Sequence, residues 1–263
     1  MLSQTSSDEN NTDIAVLTET WLWDSLADKA WLQGYELNNN GYHIDTVNRN
    51  GRKGGGIAIV YKDSIKIKVV CKGDKGSFEY GIWKASMKSV TLTVIVIYRP
   101  PYSQVHPVTV NTFLTDFAEF LTNVTSQHSN ILIAGDFNIH LNDNLSCETA
   151  AYTELMQAFG FDQHVEKFTH KAGNILDHIF TEEASEIRVT RCENKDFISD
   201  HCVIQCDIKV PKENIIRKTV KYRKFSKVDR ENLKDDLSLD PYVSWGAEPT
   251  SGILWKFSST GNR

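Results

Sequence analysis

The sequence predicts one α/β domain, with helices packed on β-sheet, followed by a basic tail. Three observations carry this. Short β-branched apolar runs bounded by turn residues recur between residues 14 and 206, stretches of helical periodicity fall between some of them, and these signals stop after Val210 and Pro211. Strands are expected at Ile14 to Leu17, Gly56 to Tyr61, Thr91 to Tyr98, Ile131 to Ala134, Ile175 to Phe180 and Ile198 to Cys206. Val110, Phe113, Leu114, Phe117, Phe120, Leu121 and Val124 recur at helical spacing from a start at Thr109 or Asn111, which reads as one amphipathic helix. A second helix is expected over Thr149 to Phe159, ended by Gly160. The expected domains are a polar segment 1–12, a catalytic-type domain 13–208, and a tail 209–263 with one modest helix near Asp229 to Leu237.

The composition belongs to a globular protein: 263 residues, 40% hydrophobic and 24% charged, with Gly and Pro too few for a low-complexity chain. The longest apolar stretch, Val90 to Tyr98, is far short of the roughly 20 residues a membrane helix needs, so no membrane association is expected. Residues 1–11 are polar and carry Asp8 and Glu9 where a secretion signal would be basic and then apolar. Five Cys form no C-x-x-C pair and suggest neither a disulfide framework nor a zinc site. Cytosol or nucleus is the expected compartment.

Net charge is −5 overall but is unevenly spread: residues 1–208 carry −10 and residues 209–263 carry +5. An acidic body lacks the Lys and Arg that would capture nucleic acid broadly, so any DNA contact by the body must be local. Lys209 to Arg230 holds nine basic residues, readable as a solvated linker or as a phosphate-contacting arm.

The most informative segment is Ile131 to Asn138, a buried strand running through Gly135 to present Asp136 and Asn138 on one side and Phe137 on the other. A carboxylate and an amide so placed can polarise a water and hold a phosphate oxygen, or simply close the strand with an Asx turn. Three further acids lie in or beside apolar strands: Glu19 in Leu17-Thr18-Glu19, Asp177 in Leu176-Asp177-His178-Ile179, and Asp200 in Ser199-Asp200-His201. Four carboxylates and a His are costly unless a cation and hydrogen bonds compensate them. Oxygen ligands suit Mg²⁺ or Mn²⁺, which would make the site hydrolytic. Gly54-Gly55-Gly56 after Arg52 and Lys53 reads either as a phosphate cradle or, with no Gly-Lys-Ser/Thr ending, as a tight start to a strand. Trp21, Trp23 and Trp31 could stack bases or belong to the core, and His140 and His178 read as surface or packed histidines.

In type and order these motifs resemble the endonuclease/exonuclease/phosphatase superfamily, with its DNase I-like two-sheet α/β sandwich. The motifs are Glu19 in Thr18-Glu19-Thr20-Trp21, Tyr98 in Tyr98-Arg99-Pro100-Pro101, Gly135-Asp136-Phe137-Asn138, Leu176-Asp177-His178 and Ser199-Asp200-His201. The Tyr-Arg-Pro-Pro variant, the triple glycine and Thr169-His170 ahead of Gly173-Asn174 look most like the apurinic-type endonuclease domain of non-LTR (LINE-like) retrotransposons. The resemblance covers about Asp13 to Asp207. It implies Glu19 as principal metal ligand with Asp200 close to the metal through water, Asp136 as the group that orients or deprotonates the attacking water, and Asn138 holding water and phosphate. Asp177 would pair with His201, which would face the scissile phosphate as donor or acid. Tyr98 would donate to a phosphate oxygen with Arg99 behind it, and Thr169, His170 and Asn174 would approach DNA. The implied reaction is metal-dependent nicking of one DNA strand to leave a 3′-hydroxyl, with the basic tail similar to the linker leading to a reverse transcriptase.

The family pattern places an Asn-bearing strand and a helix before the Glu strand. Residues 1–11 are too short and polar to supply them, so the expectation is a sandwich lacking its first strand and helix, as in a shortened copy or a gene model missing its first exon. Two other readings stay open: a non-catalytic remnant or binding domain of the same fold, and a superfamily phosphatase acting on a phosphoinositide, sphingomyelin or a nucleotide tail.

Overall fold

The computed structural model describes residues 12–22, 34, 41–49, 54–87, 90–211, 229, 231, 232 and 235. Two compact units divide the chain, Met1–Asn214 and Ile215–Arg263. In the first, eleven strands and two helices are described: β1 Ile14–Thr18, β2 Tyr42–Val47, β3 Ile57–Lys62, β4 Lys66–Asp74, β5 Glu79–Met87, β6 Val90–Tyr98, α1 Val110–Gln127, β7 Ile131–Asp136, α2 Cys147–Ala158, β8 Phe161–Gln163, β9 Asp177–Glu182, β10 Arg188–Phe197 and β11 Cys202–Lys209. They build a six-stranded sheet of order β4-β5-β6-β7-β9-β8, a three-stranded sheet β1-β3-β2, and the hairpin β10-β11.

Both helices start where side chains can replace missing backbone partners. The Thr109 hydroxyl accepts from the Thr112 N–H at 3.2 Å, and Ser146 accepts from Thr149 at 3.3 Å. α2 stops at Ala158 because Gly160 turns left-handed at φ +70°. Among the described strands only β6 and β7 pair in parallel, an arrangement that needs a long crossover, and α1 supplies it.

Strand alternation divides the core into two layers. Ile95 and Ile97 of β6, Ile131 and Ile133 of β7 and Phe180 of β9 face α1 and α2, joining Phe113, Phe117 and Tyr152. Val94, Val96 and Tyr98 of β6 and Leu132 and Ala134 of β7 face the other way, onto Ile57 and Ile59 of β3, with Ile208 of β11 alongside. Tyr98, Asp136 and Asp177 therefore end their strands on the sheet-against-sheet side.

Several expectations shift. The strand expected at Ile198 to Cys206 begins only at Cys202, because Ser199 Oγ accepts from the His201 N–H at 3.0 Å and turns the chain. The strand expected at Ile175 runs over Asp177–Glu182. β2, β4, β5, β8 and β10 were not expected. In the second unit Glu231, Asn232 and Asp235 are helical, and the Asp229 carboxylate accepts from the Glu231 N–H at 3.0 Å. The remainder of the tail, the segment 1–11 where a first strand would have to lie, and Trp23, Trp31, Arg52 and Lys53 fall outside the described residues. Within them, β1 pairs on one side only, antiparallel to β3. Cys192 and Cys206 are free and face each other across the hairpin, with their sulfurs 2.8 Å apart.

Candidate active site

The site is a row set by strand register. Glu79 pairs with Tyr98, Tyr98 with Asp136, and Asp136 with Asp177, so four neighbouring strands present these side chains at one level of the sheet. His201 extends the row: its Nδ1 donates to Asp177 Oδ2 at 2.7 Å. Arg49 closes the other end by pairing with Glu79.

Glu19 reaches the row from the end of β1. Its backbone sits in the left-handed region at φ +52°, and Trp21 follows at φ +55°, conformations that cost non-glycine residues on the order of 1–3 kcal/mol and cluster at functional sites. The Tyr98 hydroxyl donates to Glu19 Oε1, and Trp21 Nε1 donates to Oε2 at 3.3 Å. Burial first, and the Glu19 carboxylate second, push the Tyr98 phenol far above its ordinary pKa, so it remains a proton-bearing donor.

Asp136 is 5% exposed. Asp136 Oδ1 accepts from the Asn138 N–H at 3.0 Å, and Oδ2 from the Asn138 amide at 3.2 Å. The same Nδ2 donates to the Arg99 carbonyl at 2.8 Å, which commits both its hydrogens. Asn138 adopts φ +48°, which Asn tolerates better than most residues. Just before it, Gly135 at φ +149° lies so close to β6 that a Cβ would sit 1.8 Å from the Ile97 carbonyl oxygen. Burial, reinforced by the charge on Asp177, raises the Asp136 pKa to about 7; the imidazolium of His201 and the Asn138 N–H act against it. The hydrogen bond to Asp177 raises His201 to about 9.

Other expected site residues have different surroundings. Arg99 is 2% exposed, and its Nη1 donates to the carbonyls of Phe137 at 3.2 Å and Asn138 at 3.1 Å while its guanidinium covers the Phe113 ring. It fixes the loop behind Asp136 where a substrate contact was expected. Thr169 is fully buried, and its hydroxyl accepts from the N–H groups of Leu176 and Asp177. It anchors the start of β9 and cannot meet DNA. Asn174 acts through its backbone carbonyl, which accepts from Thr169 and His170. His170 does flank the row: its ring meets that of His201 edge to face at 4.9 Å, and its Nε2 lies 3.5 Å from the largely exposed Asp200 carboxylate. His178 is fully buried, stacked on Phe137; its Nε2 donates to the Ile175 carbonyl and its Nδ1 accepts from the Tyr152 hydroxyl at 3.0 Å. His140 is exposed.

Among the described residues two groups offer convergent metal-ligand atoms within 4.8 Å of one another: Asp136, Asp177 and His201, and His170, Asp200 and His201. Neither group includes Glu19, whose carboxylate is turned to Tyr98 and Trp21. The donor set fits a divalent cation: two carboxylates lie adjacent, the charge on Asp177 adds to burial in raising the proton affinity of Asp136, and a hard cation relieves that repulsion.

Sequence reasoning missed Arg49 and Glu79. Both are nearly buried, with side chains 8% and 3% exposed. Glu79 Oε2 also accepts from the Gly56 N–H at 2.7 Å. The signal was present in the triple glycine, all of it at positive φ.

The two-sheet α/β sandwich, with carboxylates, a carboxylate-bound His and a phenol converging at one sheet end, has the DNase I-like fold. The chain belongs to the endonuclease/exonuclease/phosphatase family, whose model matches residues 4–201. Members of that superfamily hydrolyse phosphodiesters or phosphate monoesters. No curated protein matches the sequence. Solved structures share the fold at low identity. The catalytic domain of human Nocturnin, with bound sulfate, is 13% identical at a TM-score of 0.54 over 75% of this chain and 80% of that one. The endonuclease domain of TRAS1, a telomere-specific non-LTR retrotransposon, is 12% identical at 0.51 over 66% and 81%. TDP2 of D. rerio, complexed with single-strand DNA product, is 13% identical at 0.53 over 75% and 86%. No helix among the described residues is long and apolar enough to cross a membrane.

Proposed function

We propose that this protein is a divalent-metal-dependent phosphodiesterase that nicks one strand of DNA, as endonuclease domains of non-LTR retrotransposons do. The observation that carries the reading is the register-locked row Tyr98, Asp136, Asp177 and His201, with Glu19 held against Tyr98. The order of these motifs and the Tyr-Arg-Pro-Pro sequence favour the retrotransposon branch.

Asp136, whose carboxylate is oriented from both sides by Asn138, aligns a water and takes its proton. With its amide hydrogens committed, Asn138 acts on that water through Oδ1. The water oxygen attacks phosphorus and the bond to the 3′-oxygen breaks. His201, kept cationic by Asp177, gives that oxygen its proton, leaving a 3′-hydroxyl and a 5′-phosphate. Tyr98 donates to a non-bridging phosphate oxygen in exchange for Glu19. Glu19, Asp136, Asp177 and, at the outer side, Asp200 are the oxygen donors available to Mg²⁺ or Mn²⁺, which when bound would stabilise the charge that builds on the phosphoryl oxygens. The basic stretch 209–230 would act as a linker to a further domain such as a reverse transcriptase.

The test is nicking of supercoiled plasmid with Mg²⁺ and with EDTA, using Asp136→Ala and His201→Ala as controls and a phosphomonoester as competing substrate. Metal-dependent nicking lost in both variants is expected. A folded protein that cleaves only the monoester, or nothing, overturns the reading.

A further inference from the structure

Arg49 is part of no motif that the chemistry above uses, yet the site is built around it. Its guanidinium pairs with Glu79, the register partner of Tyr98, and lies over the Tyr98 ring 5.6 Å from the centroid. The space it occupies exists because residue 55 is glycine: a Cβ there would lie 2.3 Å from Arg49 Cζ and 2.5 Å from its Nε and Nη2. The neighbouring Gly56 N–H holds the second Glu79 oxygen, so Gly55 and Gly56 seat the two ends of the ion pair. Nη2 is buried without a hydrogen-bond partner.

We propose that Arg49 is a positioning residue for phosphodiester hydrolysis: wedged between Glu79 and the ring face of Tyr98, in space that only Gly55 leaves open, it holds the Tyr98 phenol against Glu19. This rests on the hydrolase reading above. The ring is clasped from two directions, by the guanidinium over its face and by Glu19 at its hydroxyl, so the phenol cannot swing away when a phosphate replaces Glu19 as its acceptor. Gly55 and Gly56 thereby seat the Arg49–Glu79 pair.

The test compares Arg49→Met, Tyr98→Phe and the double variant in single-turnover nicking with Mg²⁺, and in DNA affinity with EDTA. Arg49→Met is expected to slow nicking by roughly 10²-fold, the scale of a misplaced catalytic group, with DNA affinity unchanged. The double variant is expected to be no slower than Tyr98→Phe alone, because Arg49 acts through Tyr98. Losses that multiply, or wild-type nicking by Arg49→Met, overturn the proposal. A crystal structure of Arg49→Met supplies a readout free of activity: the Tyr98 hydroxyl leaves Glu19, and a phenol found in its original place overturns the proposal. If Arg49→Met does not fold, Arg49→Lys keeps the charge but loses the planar fork, and the same coupling and the same displacement are expected of it. If the wild-type protein itself does not nick DNA, the hydrolase reading fails, and the crystal comparison still decides whether Arg49 holds Tyr98.

Discussion

His201 Nδ1 donates to Asp177 Oδ2 at 2.7 Å, a bond between the loop after β10 and the first residue of β9. It raises the imidazole to about 9, and the nearby Asp136 and Asp200 charges act in the same direction against burial. In Asp177→Asn the His201 titration, followed by NMR of the ring proton in EDTA, is expected to fall towards the ordinary value near 6.5. Because the folded value is raised, the pair's contribution to stability is fully present below about pH 6.5 and is lost as pH rises through 9. Urea midpoints of wild type and Asp177→Asn should therefore converge above that pH.

Protons and a divalent cation compete for Asp136, whose pKa is raised to about 7 by burial and by Asp177. Mn²⁺ or Mg²⁺ is expected to raise the melting temperature of EDTA-stripped protein more at pH 8 than at pH 6. Calorimetry in buffers of different ionisation enthalpy should show proton release on binding at pH 6. Asp136→Asn should remove both effects; a shift equal at the two pH values would mean that Asp136 does not take part in binding.

His178 shows the opposite linkage. Complete burial lowers it to about 4, so it is neutral in the core at physiological pH. The unfolded chain takes up a proton near pH 6.5 that the folded protein refuses until about 4. Stability should fall across that window by up to about 1.4 kcal/mol per pH unit from this residue alone. Urea titrations at several pH values should show a shallower acid loss for His178→Gln, even if that variant is weaker overall.

Gly135→Ala would drive a methyl group into the Ile97 carbonyl across the β6–β7 pairing at a φ that L side chains rarely adopt. The expected cost is about 3 kcal/mol or more, since backbone cannot yield as a side chain can. Denaturant unfolding checks this, and wild-type stability would contradict the close approach. Gly160→Ala, with nothing near its Cβ, should cost only about 1 kcal/mol from the left-handed backbone.

Much of the fold was legible wherever a strand or helix buries a face. β3, β6 and β7 are continuous apolar runs because both their faces are covered, and α1 shows its buried stripe of Phe113, Phe117, Leu121 and Val124. The missed strands lack that signature. β4, at a sheet edge, is largely exposed and carries Lys66, Lys68 and Lys72, and β10 of the hairpin mixes Arg, Glu, Asn and Lys. β5 is interrupted by Gly81, which is there to seat the Trp83 ring: a Cβ at 81 would meet the indole at 2.1 Å. In the site, short motifs exposed Asp136, Asp177 and His201, but residue type alone could not separate Arg99 and Thr169 from groups that touch substrate. Their roles depend on burial among carbonyls and N–H groups that are distant in sequence.

The row from Glu79 to Asp177 is written in pairing register, and register is discrete. Each strand offers the site one residue in two, and a slip of one position would exchange Asp136 for Gly135 or Phe137 and send its carboxylate to the layer of aromatic rings under α1. Gain or loss of a single codon within β5, β6, β7 or the start of β9 would thus erase the centre in one event. The turns at the far ends of the same strands can change length without the centre registering it.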